Sequence, residues 1–289
     1  MSLRQIKEFF VQKLILICGL ASIFFVVLIF LFLTKEGLAV FKTVRPLDFI
    51  FGKSWYPISE PAQLGILPLI FGSLIVTLGA AIISIPIGIA CAVYIAEIAP
   101  LKIKEILKAG IELLAAIPSV VLGFIGMVTL VPWVKSTFHL PTGLTALSGS
   151  IILAFMAMPT IVSVAEDALY SVPKSYKEGA FALGATHWQT IYRVLLPAAS
   201  SGIVAAVMLG IGRVIGETMA VMMITGNAAV IPQSILVPVR TLTATIAAEM
   251  GEAVVGSEHY FALFAIGIVL FTMSFIINVT ADLFLHKRK

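Results

Sequence analysis

The chain has 289 residues, of which 60% are hydrophobic before its 22 glycines are counted, and 12% are charged where about 25% is usual in soluble domains. A mean hydropathy of +1.09 excludes a soluble globule, a disordered chain and a disulfide-stapled secreted module, since that much apolar surface stays dry only in a bilayer. The formal net charge of +4 sits in short gaps between apolar runs, not in a basic stripe with interleaved aromatics, which points to orientation in a membrane and away from nucleic acid.

A spanning helix needs about 20 mainly apolar residues. The runs here are continuous and do not alternate at period two, so helices are expected and a barrel is not. The first run, Leu14–Leu33, follows Arg4, Lys7 and Lys13. It exceeds the roughly 7–15 residues of a signal-peptide core and reads as a retained anchor, with residues 1–13 as a cytoplasmic N-terminal segment. Next comes an uncharged stretch from Pro61 to Ala96, in which Pro68 and the Gly65–Gly72 region suggest an interfacial lead-in and the main span lies near Gly72–Ala96. Leu113–Val134, Leu144–Ala165, Ala198–Thr225 and Tyr260–Ala281 complete the set, the fifth run carrying two charges.

The expected fold is therefore an all-α integral membrane protein, a bundle of six spanning helices in a single transmembrane domain over residues 14–289. With the N-terminus inside, twelve of the 19 Lys and Arg residues fall on the inner side and six on the outer, with Arg213 within a span. Both termini are then expected in the cytoplasm. In the outer segment Thr34–Pro61, Trp55-Tyr56-Pro57 reads as an interfacial aromatic anchor.

The inner segment from Glu166 to Pro197 is long, helix-forming and mixed in charge. Pro173 marks a helix start, Lys174–Leu183 a short helix, Gly184 its stop and Thr186–Leu195 a second helix. Gly179, Ala180 and Ala182 leave the first helix with a shallow surface, Phe181 and Leu183 supply apolar contacts, and Glu178 lies towards the N-terminal half, where the helix dipole favours an acid. Physics alone leaves two readings: an amphipathic connector on the inner leaflet, or a docking surface. The pattern Glu178-x-Ala180-x-x-x-Gly184, followed after nine residues by Val194, one residue, Leu196 and Pro197, resembles the EAA loop of ABC importer permeases, with Gly179 where the family usually has Ala. That resemblance implies that Glu178, Gly179, Ala180, Gly184, Leu196 and Pro197 couple the chain to an ATPase. No G-x-x-x-x-G-K-[ST] phosphate loop occurs in the sequence, so ATP-Mg would be used by a partner and not by this chain.

Arg213 and Glu217 lie near the middle of an apolar run from Val194 to Val239. Charged side chains at that depth are costly and usually face a bundle interior or a pathway. If the helix is continuous, the i, i+4 spacing puts both on one face, with Gly210, Gly212 and Gly216 around them and the Thr218 hydroxyl beside them. One reading is a structural ion pair. The other is an anion gate, in which the Arg213 fork receives an oxyanion and Glu217 neutralises it in the absence of ligand. The stretch Gly212-Arg213-Val214-Ile215-Gly216-Glu217-Thr218-Met219-Ala220-Val221 resembles the G-R-[AV]-I-G-E-T-M-A-V segment of phosphate ABC-transporter permeases of the PstC family. So do Arg45–Phe49, Ile117–Gly123 and Thr241–Ala247, and the likeness covers nearly the whole chain. It implies a type I importer permease in a bacterial or archaeal plasma membrane. The partners it implies are a sister permease PstA, two copies of the ATPase PstB and the phosphate-binding protein PstS. On it, Arg213, Glu217 and Thr218 are the substrate-pathway residues.

Other residues are less informative. Ser119, after Pro118, and the Ser73/Thr77 pair are alternatives between pore lining and bonding within their own helices. Glu249, Glu252 and Glu258 read as a solvated outer face, with contact to the binding protein as the alternative, and Thr241–Glu252 as a short helix at the outer mouth. Cys18 and Cys91 fall in apolar runs, and the four histidines lack metal-ligand spacing. No catalytic set is recognisable. Two rivals to phosphate import remain from the sequence: a permease for another oxyanion or solute, and a proton-coupled secondary anion carrier using the same charged pair. A structural or signalling subunit is a third.

Overall fold

The computed structural model describes residues 3–286 and is helical apart from one two-stranded hairpin and the connecting loops. Met1 and Ser2 of the expected N-terminal segment, and Lys287, Arg288 and Lys289 of the expected inner charge, lie outside the described residues. Among those described, five helices are long and apolar enough to cross a membrane, or six if one bent pair counts as a span.

Helix α1 (Leu3–Gly37) extends the first expected run in both directions. At its end the chain builds a cap from a 3-10 turn (Leu38–Lys42), α2 (Pro46–Phe51) and the strands β1 (Trp55–Tyr56) and β2 (Gln63–Leu64). The strands pair antiparallel, Trp55 facing Leu64. Val40, Phe49, Trp55 and Leu64 are buried there in one cluster with Leu242, Leu263 and Ile266.

Helix α3 (Leu67–Val93) begins with Pro68 in its first turn. The Gly65–Gly72 region is thus no separate lead-in, because a proline that needs no N–H partner is a helix starter. The helix runs through Pro86 and closes in a π-helical turn, Tyr94–Ile98.

The third expected run is not one helix. It is divided into α4 (Leu101–Ala116), α5 (Ser119–Ile125), a π turn at Gly126–Leu130 and α6 (Val131–Thr137). Ile117 has ψ 126° and Pro118 ψ 140°, both extended. The cause is local: a proline ring disfavours helical backbone in the residue before it.

Helix α7 (Ala146–Tyr170) matches the fourth run and is the most enclosed of the spans. Its N-cap is Thr145, whose Oγ1 accepts the Ser148 N–H at 3.3 Å. Helices α8 (Lys174–Ala182) and α9 (His187–Thr190), a π turn at Ile191–Leu195 and the short α10 (Leu196–Ala198) follow. The chain then bends by 71° into α11 (Ser200–Gly216). Ile161 of α7 wedges between α3 and α11, where a Cβ on Gly88 or Gly210 would come within 2.8 or 2.5 Å of it. Small residues at such crossings let backbones close together where lipid supplies no hydrophobic drive.

The fifth expected run is also broken. After α11 the chain leaves the helix at Glu217 and Thr218, resumes as α12 (Met219–Ile224), and loops to α13 (Leu242–Glu249), the short helix anticipated at Thr241–Glu252. Helix α14 (Glu258–His286) covers the sixth run and packs along α1, with Phe271 on Phe30 at 4.9 Å and Phe264 on Phe32 at 5.5 Å between ring centres.

Candidate functional site

The segment between α7 and α11 forms a compact platform. Pro173 starts α8, and Gly184, at φ +80°, ends it in a left-handed turn that side-chain-bearing residues rarely adopt. Thr186 and Gln189 cap α9 reciprocally, the Thr186 hydroxyl accepting the Gln189 N–H and the Gln189 side chain accepting the Thr186 N–H. Of the residues singled out by spacing, Glu178, Gly179, Gly184 and Pro197 are exposed, Leu196 is half-buried and Ala180 is buried beneath α8. A Cβ on Gly179 would meet nothing within 4 Å, so that face is shallow. Around it Tyr176, Phe181, Leu183, Trp188 and Tyr192 stand exposed, Leu183 at 91%. An apolar patch of this kind is compatible with both readings of the segment, a leaflet-facing connector and a partner surface. Tyr192 escapes a spacing argument because the pattern constrains only the small and capping positions, whereas Trp188 lies within the docking segment as the sequence places it.

One ion pair and a nearby histidine tie the platform to the bundle. Lys177 Nζ meets Glu97 Oε2 at 2.5 Å, and His187 Nε2 lies 3.9 Å from the same oxygen. Glu97 is set on the π turn that ends α3. Nearby, buried Glu166 at the end of α7 takes Lys108 at 3.0 Å and Lys104 at 3.6 Å, with Lys104 also 3.8 Å from the centre of the Tyr170 ring.

The mid-bundle charges are arranged differently from the helical expectation. Glu217 has ψ 132°, so the helix carrying Arg213 ends before the acid, and the i, i+4 face does not exist. Glu217 Oε1 instead accepts the Ala220 N–H at 3.2 Å, capping α12, while its carbonyl accepts the Thr243 hydroxyl at 2.8 Å. No Arg213–Glu217 ion pair forms among the described residues. The physical reason is competition: a chain break leaves free amides at the start of α12, and the carboxylate satisfies one of them. Thr218 bonds back to the Gly216 carbonyl at 3.1 Å. Arg213 is exposed on the open side of α11 together with Gly212 and Gly216, and its Nη1 donates to Thr160 Oγ1 of α7 at 3.4 Å. Sequence reasoning missed Thr160, whose partner lies 53 residues away. Ser73 is structural: its hydroxyl accepts the Leu242 N–H at 2.9 Å.

At the opposite end, Glu249 is not solvated. Its carboxylate receives Arg240 Nη1 at 2.5 Å, His259 Nε2 at 2.9 Å and Trp55 Nε1 at 3.0 Å, joining the loop before α13, the start of α14 and the hairpin. These residues wall an open cavity of about 890 Å³. Glu252 and Glu258 are exposed, as expected.

A family model described as binding-protein-dependent transport system inner membrane component matches residues 84–289. The chain is 42% identical over 288 residues to the probable ABC transporter permease protein YqgH of Bacillus subtilis, covering 99% of this chain and 93% of that protein. It is 36% identical over 259 residues to the phosphate transport system permease protein PstC of Mesorhizobium japonicum, covering 83% and 78% respectively. A crystal structure of a bacterial alginate ABC transporter, in complex with its alginate-bound periplasmic protein, superposes with a TM-score of 0.63 at 18% identity over 95% of this chain and 94% of that one.

Proposed function

The chain belongs to the binding-protein-dependent transport system inner membrane component family, as a non-enzymatic permease subunit of a type I ABC importer, and within that role we propose that the solute it passes is inorganic phosphate. Such a permease works with a second permease, a separate ATPase and a binding protein. For this chain the partners are PstA-like, PstB-like in two copies and PstS-like, in a plasma membrane with both termini cytoplasmic. ATP-Mg acts on the ATPase copies. Their closure moves the exposed face of α8 around Glu178, Gly179 and Gly184, and the bundle alternates its access.

The observation that carries phosphate is Arg213. A charge deep in a span costs about 2.5–3.5 kcal/mol on insertion scales, so this exposed side of α11 faces a water-filled route or the second permease, not lipid. The guanidinium has a planar donor fork suited to a doubly charged oxyanion. Because Glu217 is engaged at α12, no carboxylate has to be displaced first. With no intramolecular counter-ion, Arg213 is an open anion receiver. PstC relatives at 32–36% identity across three quarters or more of the chain support the same solute. Family membership disfavours a proton-coupled carrier.

The test is uptake of labelled phosphate by the complete importer in proteoliposomes. Arg213→Gln is expected to cut uptake by roughly tenfold to a hundredfold, the loss of a charge-assisted contact of about 1.5–3 kcal/mol. Excess sulfate, molybdate or phosphonate should compete poorly. Undiminished uptake by the variant, or preferential transport of one of those competitors, refutes the assignment.

A further inference from the structure

We propose that Thr160 and Ser163 of α7 are direct phosphate ligands that, with Arg213, line the half of the route leading from mid-bundle to the ATPase side; this rests on the phosphate reading above. Thr160, Ser163 and Asp167 recur at i, i+3 and i+7 and share one face of α7. Ser163 and Asp167 are exposed and Thr160 is half-exposed, although α7 is otherwise the most enclosed span. The face lies between two packed neighbours. On one side α4 sends Lys104 and Lys108 to Glu166, and on the other α11 presses Gly210 against Ile161. Arg213 reaches across from α11 to the Thr160 hydroxyl, which sets the guanidinium at the head of this stripe.

What marks this face out is its tie to Arg213, whose guanidinium donates to Thr160. Thr129, Thr272 and Thr280, exposed elsewhere on the spans, each donate to the carbonyl four residues back at 2.6–2.8 Å, whereas Ser22 of α1, also exposed, makes no hydrogen bond among the described residues. Neither Thr160 nor Ser163 donates to such a carbonyl. Thr160 only accepts, from Arg213, and Ser163 makes no hydrogen bond among the described residues. Their protons are left for something outside this chain. A phosphate held by the Arg213 fork has acceptor oxygens to spare and would take the Thr160 hydroxyl as a second donor. One turn further on, Ser163 offers the next. Asp167 repels the anion at the exit, which favours release over retention.

The experiment uses the complete importer with Cys18 and Cys91, both exposed, replaced by alanine. Cysteine is placed at Ser163, and at Ile82 of α3, 73% exposed and outside the proposed face, as the apolar comparison site. An anionic, membrane-impermeant thiosulfonate is applied from the ATPase side of inside-out vesicles. Ser163→Cys is expected to react about tenfold faster than Ile82→Cys, since a wetted thiol ionises and an apolar one does not. Phosphate should slow it and chloride should not. In parallel Thr160→Val should raise KM for uptake severalfold while Thr160→Ser stays near the parent. If Ser163→Cys reacts no faster than Ile82→Cys, or if phosphate leaves it unprotected and Thr160→Val keeps its KM, the proposal fails. Loss of uptake in Arg213→Gln alongside that failure leaves the phosphate reading standing. Normal uptake in Arg213→Gln overturns both.

Discussion

The Lys177–Glu97 contact is the most direct way to ask whether α8 drives α3. The Lys177 side chain is 36% exposed and that of Glu97 12%, so removing either leaves a half-dried charge behind. An orphaned polar group of that kind costs about 1–3 kcal/mol, and partial solvent screening at Lys177 puts the expected figure near the lower half, roughly 1–2 kcal/mol. At about 1.4 kcal/mol per factor of ten, α8 should lose its seat on α3 by about tenfold in Lys177→Met or Glu97→Gln. The assay is the number of ATP molecules hydrolysed per phosphate imported by the reconstituted complex, with amide exchange over residues 174–182 as a local readout. Both single variants are expected to hydrolyse ATP while importing less per turnover, and to exchange faster in α8. The swap Lys177→Glu with Glu97→Lys should recover much of the coupling, because the charges are again opposite across the same gap. Single variants that keep the parental ratio and protection, or a swap no better than either of them, would refute the link.

Three further outcomes follow from the packing. Gly210→Leu should lower the thermal stability of the purified subunit by the equivalent of about 1–3 kcal/mol of overpacking, since even a Cβ there comes within 2.5 Å of Ile161, and Ile161→Ala in the same chain should relieve part of it. Leu183→Glu, at a site 91% exposed, should leave membrane insertion and melting unchanged yet abolish co-purification of the ATPase; retained ATPase would remove α8 from the docking surface. Glu249→Gln replaces a carboxylate that receives three side-chain donors, so amide exchange should rise in residues 240–260 while the platform around α8 stays protected.

Hydropathy made the six apolar runs legible because each needs only its own composition to be recognised. The interruptions within them were less legible. Pro118 announces a break at Ile117, yet it sits in so apolar a run that a single span through it is the simpler reading. Gly216 is the one local stop signal before Glu217, but the surrounding run is so apolar that it reads as a packing glycine, and the carboxylate and the Thr243 hydroxyl that satisfy backbone groups at the break are tertiary features. The expected Arg213–Glu217 pair presupposed an unbroken helix and fell with it. The platform was read well because capping and small-residue positions obey local rules, and Gly184 and Thr186 obey them. Glu249 was misread as solvated because its partners Arg240 and His259 sit 9 and 10 residues off across irregular turns that no helical or strand period relates to it, and Trp55 is 194 residues away.

The same long-range contacts indicate how a displacement at one end reaches the other. Helix α3 is held at both ends. Glu97 on its closing π turn meets Lys177 of α8, and Val93 packs in one cluster with Ile191 and Leu195 of the platform. At its start Ser73 accepts the Leu242 N–H, and Gly72 lies so near the Arg240 carbonyl that a Cβ would collide with it. Arg240 is in turn bound to Glu249, the hub of the far cavity. A helix of 27 residues spans about 40 Å. A shift of α8 by an ångström or two is therefore not absorbed locally, because tightly packed interiors transmit strain. It would move the loop before α13 through α3 as well as through α7 and α11, to which the platform is covalently joined. Variants at Ser73 should consequently resemble Lys177→Met in their coupling ratio while leaving α8 protected, a combination that a path confined to α7 and α11 does not produce.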